Sequence, residues 1–148
     1  MITTELMTLD HIDDIYEIEL QSFSVPWDKS DFVKEITEND KAIYVVAAFD
    51  GEVAGYGGMW HIVNEGHITN IAVSEKYRQN GVGSAILAHL IDIAHEKEMI
   101  GLTLEVRVGN EAAMKMYSKF GFKAEGLRKN YYTDTKEDAV IMWCQLDH

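Results

Sequence analysis

The segment best suited to bind a ligand is the run Arg-Gln-Asn-Gly-Val-Gly-Ser at positions 78–84, between a β-rich run and an amphipathic helix. Gly81 and Gly83 allow a tight turn and a close approach of backbone to ligand. The first N–H groups of the helix would point outward without an intrahelical acceptor. Together with the helix dipole and Arg78 they would form an anion site suited to a phosphate or pyrophosphate. The alternative is a loop that needs glycine only to turn, and neither common nucleotide-binding glycine motif is present.

A second candidate, Glu105, lies in the run 102–108, where apolar and polar residues alternate as in a strand. Because this strand would follow a crossover helix, we expect it inside the sheet, where a charged face is unfavourable unless it lines a cleft or is paired. The alternative is an open, solvated face with a Glu105–Arg107 pair; otherwise Glu105 faces a working site. The alternation places Leu102, Leu104, Val106 and Val108 on one face, with Thr103, Glu105 and Arg107 on the other.

The third candidate is Tyr117, in a predicted helix over 110–120 whose buried stripe would comprise Ala113, Met116, Tyr117 and Phe120. A tyrosine in such a stripe is usually a core residue whose hydroxyl finds a partner, and the spacing alone favours that interpretation.

The six histidines show no zinc-binding spacing, and Cys144 in its apolar run is interpreted as a buried core thiol. The sequence therefore predicts no metal site.

The elements that must position these residues follow from periodicity and turn signals. Asp10 is predicted to cap a helix over 10–22 whose apolar stripe is Ile12, Ile15, Tyr16, Ile18 and Leu20. Asp50-Gly51 is a strong hairpin signal. The other predicted elements are a strand at 2–7, a short helix from 28 or 30 to 36, strands at 43–49, 53–60 and 67–73, a helix at 83–98, strand 102–108, helix 110–120, and strands at 123–132 and 138–146, the last two joined by a polar turn at 134–136. The order predicts one mixed-sheet α/β domain over 1–148, antiparallel at the ends, with one parallel crossover.

Charge and hydropathy restrict the partners. Lys and Arg number 13 against 25 Asp and Glu, which gives a formal net charge of −12. Such a surface disfavours nonspecific nucleic-acid binding and attracts cationic partners such as amines or basic peptides. The chain shows neither an apolar stretch of about 20 residues, as a bilayer span requires, nor a signal-peptide pattern. We therefore expect a cytoplasmic protein that binds neither nucleic acid nor membrane.

The run at 78–84 contains the motif (Gln or Arg)-x-x-Gly-x-(Gly or Ala) at a strand-to-helix turn, and with it the chain resembles the GNAT superfamily of N-acetyltransferases. Within that superfamily it is similar to the bacterial ribosomal-protein-alanine N-acetyltransferases of the RimI type. The stretches that carry the similarity span most of the chain and lie at 23–27, 70–73, 104–107, 110–113, 116–117, 121–122, 128–132 and 137–142.

The resemblance implies a fold, a donor and a set of site residues. The fold would be a mostly antiparallel central sheet of about seven strands with about four helices and a splayed strand pair at the cleft for acetyl-CoA, the co-substrate. Glu105 would be the general base and Tyr117 the general acid, while Trp27, Asn70 and Tyr131 would border the peptide groove. The coenzyme would be bound by Arg78, Gln79, Asn80, Gly81, Val82, Gly83 and Ser84 at its pyrophosphate, by the backbone of Ile71, Ala72 and Val73, and by Asn110 near the pantetheine.

The implied reaction is direct acetylation of a protein α-amino group in a ternary complex, with the N-terminal alanine of a small-subunit ribosomal protein as the expected acceptor. A carboxylate near pKa 4.3 is a poor base for an amine near 8 unless burial raises its pKa or water relays the proton, and the interior position of Glu105 favours burial. A tyrosine hydroxyl can donate a proton to the leaving thiolate. Two alternatives stay open: acetylation of a small-molecule amine, and a non-catalytic acyl-CoA-binding module.

Overall fold

The computed structural model describes residues 1–132, 134 and 136–147. Short 3₁₀ turns at Leu9–His11 and Glu75–Tyr77 precede the first and third helices. The helices are α1 (Ile12–Ser22), α2 (Lys29–Glu38), α3 (Val82–Glu96) and α4 (Glu111–Lys119). The strands are β1 (Ile2–Leu6), β2 (Ala42–Phe49), β3 (Glu52–Ile62), β4 (Glu65–Val73), β5 (Gly101–Arg107), β6 (Lys123–Arg128) and β7 (Ala139–Gln145).

The strands form one seven-stranded sheet in the order β1-β2-β3-β4-β5-β7-β6. Neighbouring strands are antiparallel except β4 and β5, which are parallel and joined through α3. The predicted mixed sheet with one parallel crossover is confirmed. β5 lies inside the sheet, as the sequence pattern indicated.

Local signals explain several boundaries. Asp50 and Gly51 have φ of 49° and 88°, so both adopt the left-handed conformation that a two-residue hairpin turn requires. Asp28 caps α2, because its Oδ1 accepts a hydrogen bond from the Asp31 backbone N–H at 3.1 Å. The turn predicted at 134–136 includes Thr135, which lies outside the described residues.

Three predicted details are wrong for physical reasons. Asp10 does not cap α1 but lies inside the preceding 3₁₀ turn. Leu20 is 46% exposed, because it lies five positions after Ile15 and therefore faces away from the buried stripe. The strand predicted to reach residue 132 ends at Arg128, since Asn130 has a φ of 52° and cannot continue an extended strand.

The core lies on both faces of the sheet. On one face α3 packs over the central strands with Ile86, Leu87 and Leu90 fully buried, and Tyr117 of α4 belongs to the same cluster. On the other face α1 and α2 enclose a smaller cluster that contains Ile15, Phe32, Tyr44 and Tyr56. Helices thus cover both sides of the sheet, and the cleft described below opens between two of its central strands.

Candidate active site

A gap opens between β4 and β5 halfway along their length. The two strands pair only at Glu65–Gly101, Gly66–Leu102 and His67–Thr103, although β4 continues to Val73 and β5 to Arg107. The register between β3 and β4 shifts at Gly58/Met59, and this irregularity lies where β4 leaves β5. The splayed strand pair that the resemblance implied is therefore present.

The end of β4 directs backbone groups into this gap. In an antiparallel pair, successive residues turn their peptide groups to opposite sides. The Ser74 N–H bonds the Ala54 carbonyl of β3 at 2.7 Å, so the peptide groups of Val73 and Ile71 point the other way, toward β5. Ala72 lies between them and is buried with its side chain in the smaller core cluster. Along this edge of the gap, the peptide groups of Ile71 and Val73 therefore have no partner on β5.

The loop from 78 to 81 folds back onto the same edge. The Arg78 Nε donates to the Val73 carbonyl at 3.2 Å, and the Asn80 side chain donates to the Arg78 carbonyl at 3.0 Å. Gln79 has a φ of 65°, which contributes to the tight turn. The guanidinium of Arg78 is thereby fixed beside the end of β4, at the mouth of the gap.

The first turn of α3 presents free donors at this mouth. Gly81 is the N-cap residue with φ 85° and ψ 8°, and it has no side chain that could occupy the helix end. The first helical hydrogen bond runs from the Ala85 N–H to the Gly81 carbonyl at 3.0 Å, so the N–H groups of Val82, Gly83 and Ser84 have no intrahelical acceptor. No acidic residue lies in this turn. The geometry is that of an anion site.

Gly83 also brings three elements together. A Cβ at this position would lie 3.2 Å from the Met116 Sδ of α4 and 3.7 Å from the Val73 Cγ2 of β4. The absence of a side chain therefore lets α3 approach both elements closely. Asn110, on the far side of β5, caps α4 by accepting from the Ala113 N–H at 3.2 Å, and the Asn110 side-chain amide remains exposed.

Glu105 lies on the part of β5 that β4 has left. Its side chain is 29% exposed, and its Oε1 lies 3.4 Å from the Arg128 Nε of β6. The predicted burial is wrong, because the splay of β4 leaves one flank of β5 open. The alternative Glu105–Arg107 pair is also wrong, since the Arg107 guanidinium pairs with Asp134 at 2.9 Å. Glu105 therefore faces the cleft, where water can reach it.

Tyr117 lies under the same region, with only 8% of its surface exposed and its ring 5.5 Å from that of Phe122. The Tyr117 hydroxyl makes no hydrogen bond to a described residue. Among the described residues, every buried side-chain oxygen has a hydrogen-bond partner, so the Tyr117 oxygen itself is not fully buried. The ring is thus a core group, as its spacing predicted, whereas the hydroxyl reaches an accessible surface. Burial raises the pKa of Tyr117 to about 12, so the hydroxyl keeps its proton at neutral pH.

Aromatic rings from the segment after β6 connect the two catalytic candidates. The Arg107 guanidinium lies 4.0 Å from the centre of the Tyr132 ring. Burial raises the pKa of Tyr132, and the ring interacts electrostatically with both Tyr117 and Glu105. Tyr131 is 44% exposed and lies 5.1 Å from Tyr132, ring centre to ring centre. The Arg128 guanidinium, which pairs with Glu105, lies 5.5 Å from the centre of the Tyr131 ring, so both tyrosines lie near Glu105.

Trp27 and Asn70, the two other predicted groove residues, lie against the cluster that α1 and α2 enclose. Trp27 follows α1, is 37% exposed, and packs edge-on against the Phe32 ring at 5.3 Å. Asn70 is half-buried on β4, and its side-chain amide donates to the Tyr56 hydroxyl at 3.1 Å. The structure therefore places both predicted groove residues on the α1–α2 side of the sheet.

Sequence reasoning missed the group beneath these two residues, the carboxylate of Glu19. It is 4% exposed, and it accepts hydrogen bonds from the Tyr56 hydroxyl and, at 2.9 Å, from the Trp27 backbone N–H. Its position, four residues after Ile15 and seven after Ile12, lies on the apolar stripe of α1. A charged residue on a buried stripe was the signal that could have identified it.

The arrangement combines an anion-binding helix terminus, a strand edge with unpaired backbone groups, a carboxylate and a protonated phenol around one cleft. Such a set can bind a phosphate-bearing donor and polarise a carbonyl group. It can also take a proton from an attacking nucleophile and give a proton to a leaving group. Among the described residues, no cluster of three or more His, Cys, Asp or Glu could hold a metal ion. Within the same residues, no helix has the length and apolar character that a membrane span needs.

Comparison with known proteins connects this geometry to a family. The model of the acetyltransferase (GNAT) family matches residues 12–122. An Escherichia coli enzyme named ribosomal protein bS18-alanine N-acetyltransferase is 34% identical over 129 residues, which cover 86% of this chain and 86% of the relative. A Bacillus subtilis protein with the same name, provisionally assigned, is 45% identical over 141 residues, covering 95% of this chain and 93% of the relative. The crystal structure of the ribosomal-protein-S18-alanine N-acetyltransferase from Escherichia coli superposes with a TM-score of 0.89 at 31% identity, covering 100% of this chain and 96% of that one.

Proposed function

The chain belongs to the acetyltransferase (GNAT) family, and from this premise we propose that it transfers the acetyl group of acetyl-CoA to the N-terminal alanine of ribosomal protein bS18. The observation that carries the proposal is the gap between β4 and β5, whose open end lies beside the first turn of α3 and whose β5 edge carries Glu105. A ribosomal acceptor would place the reaction in the cytoplasm.

The donor site follows from the anion-binding terminus. The free N–H groups of Val82, Gly83 and Ser84 and the fixed guanidinium of Arg78 suit the coenzyme pyrophosphate. The pantetheine arm would then run along β4, where the outward peptide groups can hydrogen-bond to its amides. Asn110 lies across the gap and has an exposed amide to contact the arm.

The acceptor must lose a proton before or during attack. An α-amino group with a pKa of about 8 arrives largely protonated at neutral pH. Because Glu105 is partly exposed, we assign it a base role through a bridging water molecule rather than through burial. The ammonium loses its first proton to bulk water, and the free amine nitrogen then attacks the thioester carbon. The second proton passes from the nitrogen through the bridging water to Glu105, which releases it to solvent before the next turnover.

The thiolate leaving group and the negative charge that develops on the carbonyl oxygen also need stabilisation. The tetrahedral intermediate collapses by breaking its C–S bond, and the departing thiolate takes the proton of the Tyr117 hydroxyl, which the raised pKa keeps in place at neutral pH. The N–H of Val73, directed into the gap, would donate to the carbonyl oxygen as negative charge develops on it. The phenolate of Tyr117 is reprotonated from solvent.

The charge of the chain supports a basic acceptor. The formal net charge of −12 attracts a cationic peptide and also repels the coenzyme, which is an anion. The local field at Arg78 and the α3 terminus can overcome that repulsion, because charges more than about 8 Å away are largely screened at physiological salt. Neither nucleic acid nor a membrane is a partner in this proposal.

The test is a mass-spectrometric assay with purified protein, acetyl-CoA and two acceptors. A peptide with the N-terminal sequence of bS18 should gain one acetyl group at its α-amine, and the same peptide with a blocked N-terminus should gain none. Spermidine serves as the small-amine competitor. Turnover of spermidine alone would contradict the proposal, and coenzyme binding without turnover of either acceptor would favour a non-catalytic module.

A further inference from the structure

Glu19 is a buried charged side chain that the proposed mechanism does not use. Only 4% of its surface is exposed, and it lies among the apolar residues of α1 that pack on the sheet. Placing a carboxylate in such surroundings is unfavourable unless hydrogen bonds compensate for the lost water. The hydrogen-bond partners of Glu19 therefore indicate the role of its carboxylate.

Both carboxylate oxygens of Glu19 accept hydrogen bonds, and the two donors belong to different parts of the site. Oε2 accepts from the backbone N–H of Trp27 at 2.9 Å, which fixes the loop between α1 and α2. Oε1 accepts from the Tyr56 hydroxyl of β3. The Tyr56 oxygen in turn accepts from the Asn70 side-chain amide at 3.1 Å, at the point where β4 leaves β5.

The direction of these bonds fixes the orientation of the Asn70 amide. Tyr56 gives its only proton to Glu19, so its oxygen can only accept from Asn70, and the Asn70 NH₂ must point toward it. The Asn70 oxygen accepts from the Thr69 hydroxyl at 3.0 Å. A neutral amide at position 19 has only one accepting oxygen, so either the Tyr56 hydroxyl or the Trp27 N–H would lose its acceptor.

We propose that Glu19 is a positioning residue for the acceptor substrate, whose carboxylate holds the Trp27 loop directly and the Asn70 side chain through Tyr56. The inference rests on the proposed function, and on the expectation from the family resemblance that Trp27 and Asn70 border the acceptor groove. Glu19 itself has no access to the cleft and does not touch the reacting atoms. Its influence falls on the acceptor side and leaves the donor site, at the α3 terminus, unaffected.

The kinetic test compares Glu19→Gln and Tyr56→Phe with the matched control Glu35→Gln. Glu35 is also buried, at 8% exposure, and accepts from the Tyr44 hydroxyl at 2.8 Å and the Trp60 Nε1 at 2.7 Å. We expect both test variants to raise the KM for the bS18 peptide on the order of tenfold, with the KM for acetyl-CoA unchanged. The control should lose a similar amount of stability and keep the wild-type peptide KM.

An unchanged peptide KM in Glu19→Gln, with a stability loss equal to that of Glu35→Gln, would mean that Glu19 is only a structural group. A second measurement does not depend on turnover: amide hydrogen exchange at Trp27, followed by NMR. Loss of the acceptor in Glu19→Ala should speed this exchange on the order of tenfold relative to Glu35→Ala. Equal exchange rates at Trp27 in the two variants would overturn the positioning role. If the wild-type protein fails to acetylate the peptide, the proposed function is overturned, but the exchange test of Glu19 remains valid.

Discussion

Replacing Gly81 by alanine tests the turn before α3 with a single methyl group. A Cβ at this position would meet only the Ile2 Cδ1, at 3.8 Å, so the methyl has room. The unfavourable effect is conformational, because the residue has a φ of 85° and a left-handed backbone costs an L residue about 1–2 kcal/mol. If the loop of the free variant relaxes to a conformation without this strain, binding of the coenzyme must restore the left-handed conformation at position 81 and its energetic cost. The Kd for coenzyme A should then rise about 5- to 30-fold, since 1.4 kcal/mol corresponds to a factor of ten.

The matched control is Gly51→Ala, in the hairpin between β2 and β3. Gly51 has a φ of 88°, and a Cβ there would meet no atom within 4 Å, so it introduces the same kind of strain outside the anion site. Isothermal titration with coenzyme A and urea unfolding measure the two effects separately. Gly51→Ala should lose stability alone, whereas Gly81→Ala should lose affinity and correspondingly less stability. Wild-type affinity in Gly81→Ala together with a stability loss smaller than that of Gly51→Ala would refute the reasoning, because the loop would then have relaxed without any effect on the coenzyme.

The remaining predictions concern the reaction and the acceptor loop. Glu105→Gln should lower kcat by a factor of about 10² or more with the coenzyme Kd unchanged, and wild-type rates in this variant would remove Glu105 from the mechanism. Tyr117→Phe should lower kcat to a similar relative extent at every pH from 7 to 10. The raised pKa of about 12 keeps the wild-type hydroxyl protonated across that range, and a loss that grew or vanished within it would argue against proton donation by Tyr117. Asp28→Ala should lower the free energy of unfolding, measured as a lower urea midpoint with an unchanged slope, because α2 loses its N-cap; an unchanged midpoint would show that the cap contributes nothing.

The fold was predictable because its elements carry strong local signals. Alternation in 102–108, the Asp50-Gly51 turn and the apolar stripe of α3 each specify one element, and the structure contains all of them. Strand ends were less predictable: β6 stops where Asn130 adopts a positive φ, a conformation that Asn tolerates better than most residues but does not require. The position of β5 inside the sheet followed from the order of elements alone.

The site was predictable in its backbone parts and less so in its side-chain partners. The turn before α3 depends on Gly81 and Gly83, which are visible in the sequence. The exposure of Glu105 depends instead on the splay of β4, and its neighbour Arg128 comes from a strand that is distant in sequence. The hydrogen bonds of Glu19 likewise join three separate elements, so only the position of this residue on an apolar stripe hinted at them.

The central claim is that the coenzyme lies with its pyrophosphate on the α3 terminus and its pantetheine arm in the gap between β4 and β5. Titration of the isotope-labelled protein with coenzyme A, followed through backbone amide NMR signals, tests it most directly. The largest shifts should fall on residues 81–84 and 71–73, with smaller ones at Asn110. Saturable binding with the largest shifts elsewhere, or no binding at millimolar coenzyme, would contradict the donor site and with it the reaction derived from that site.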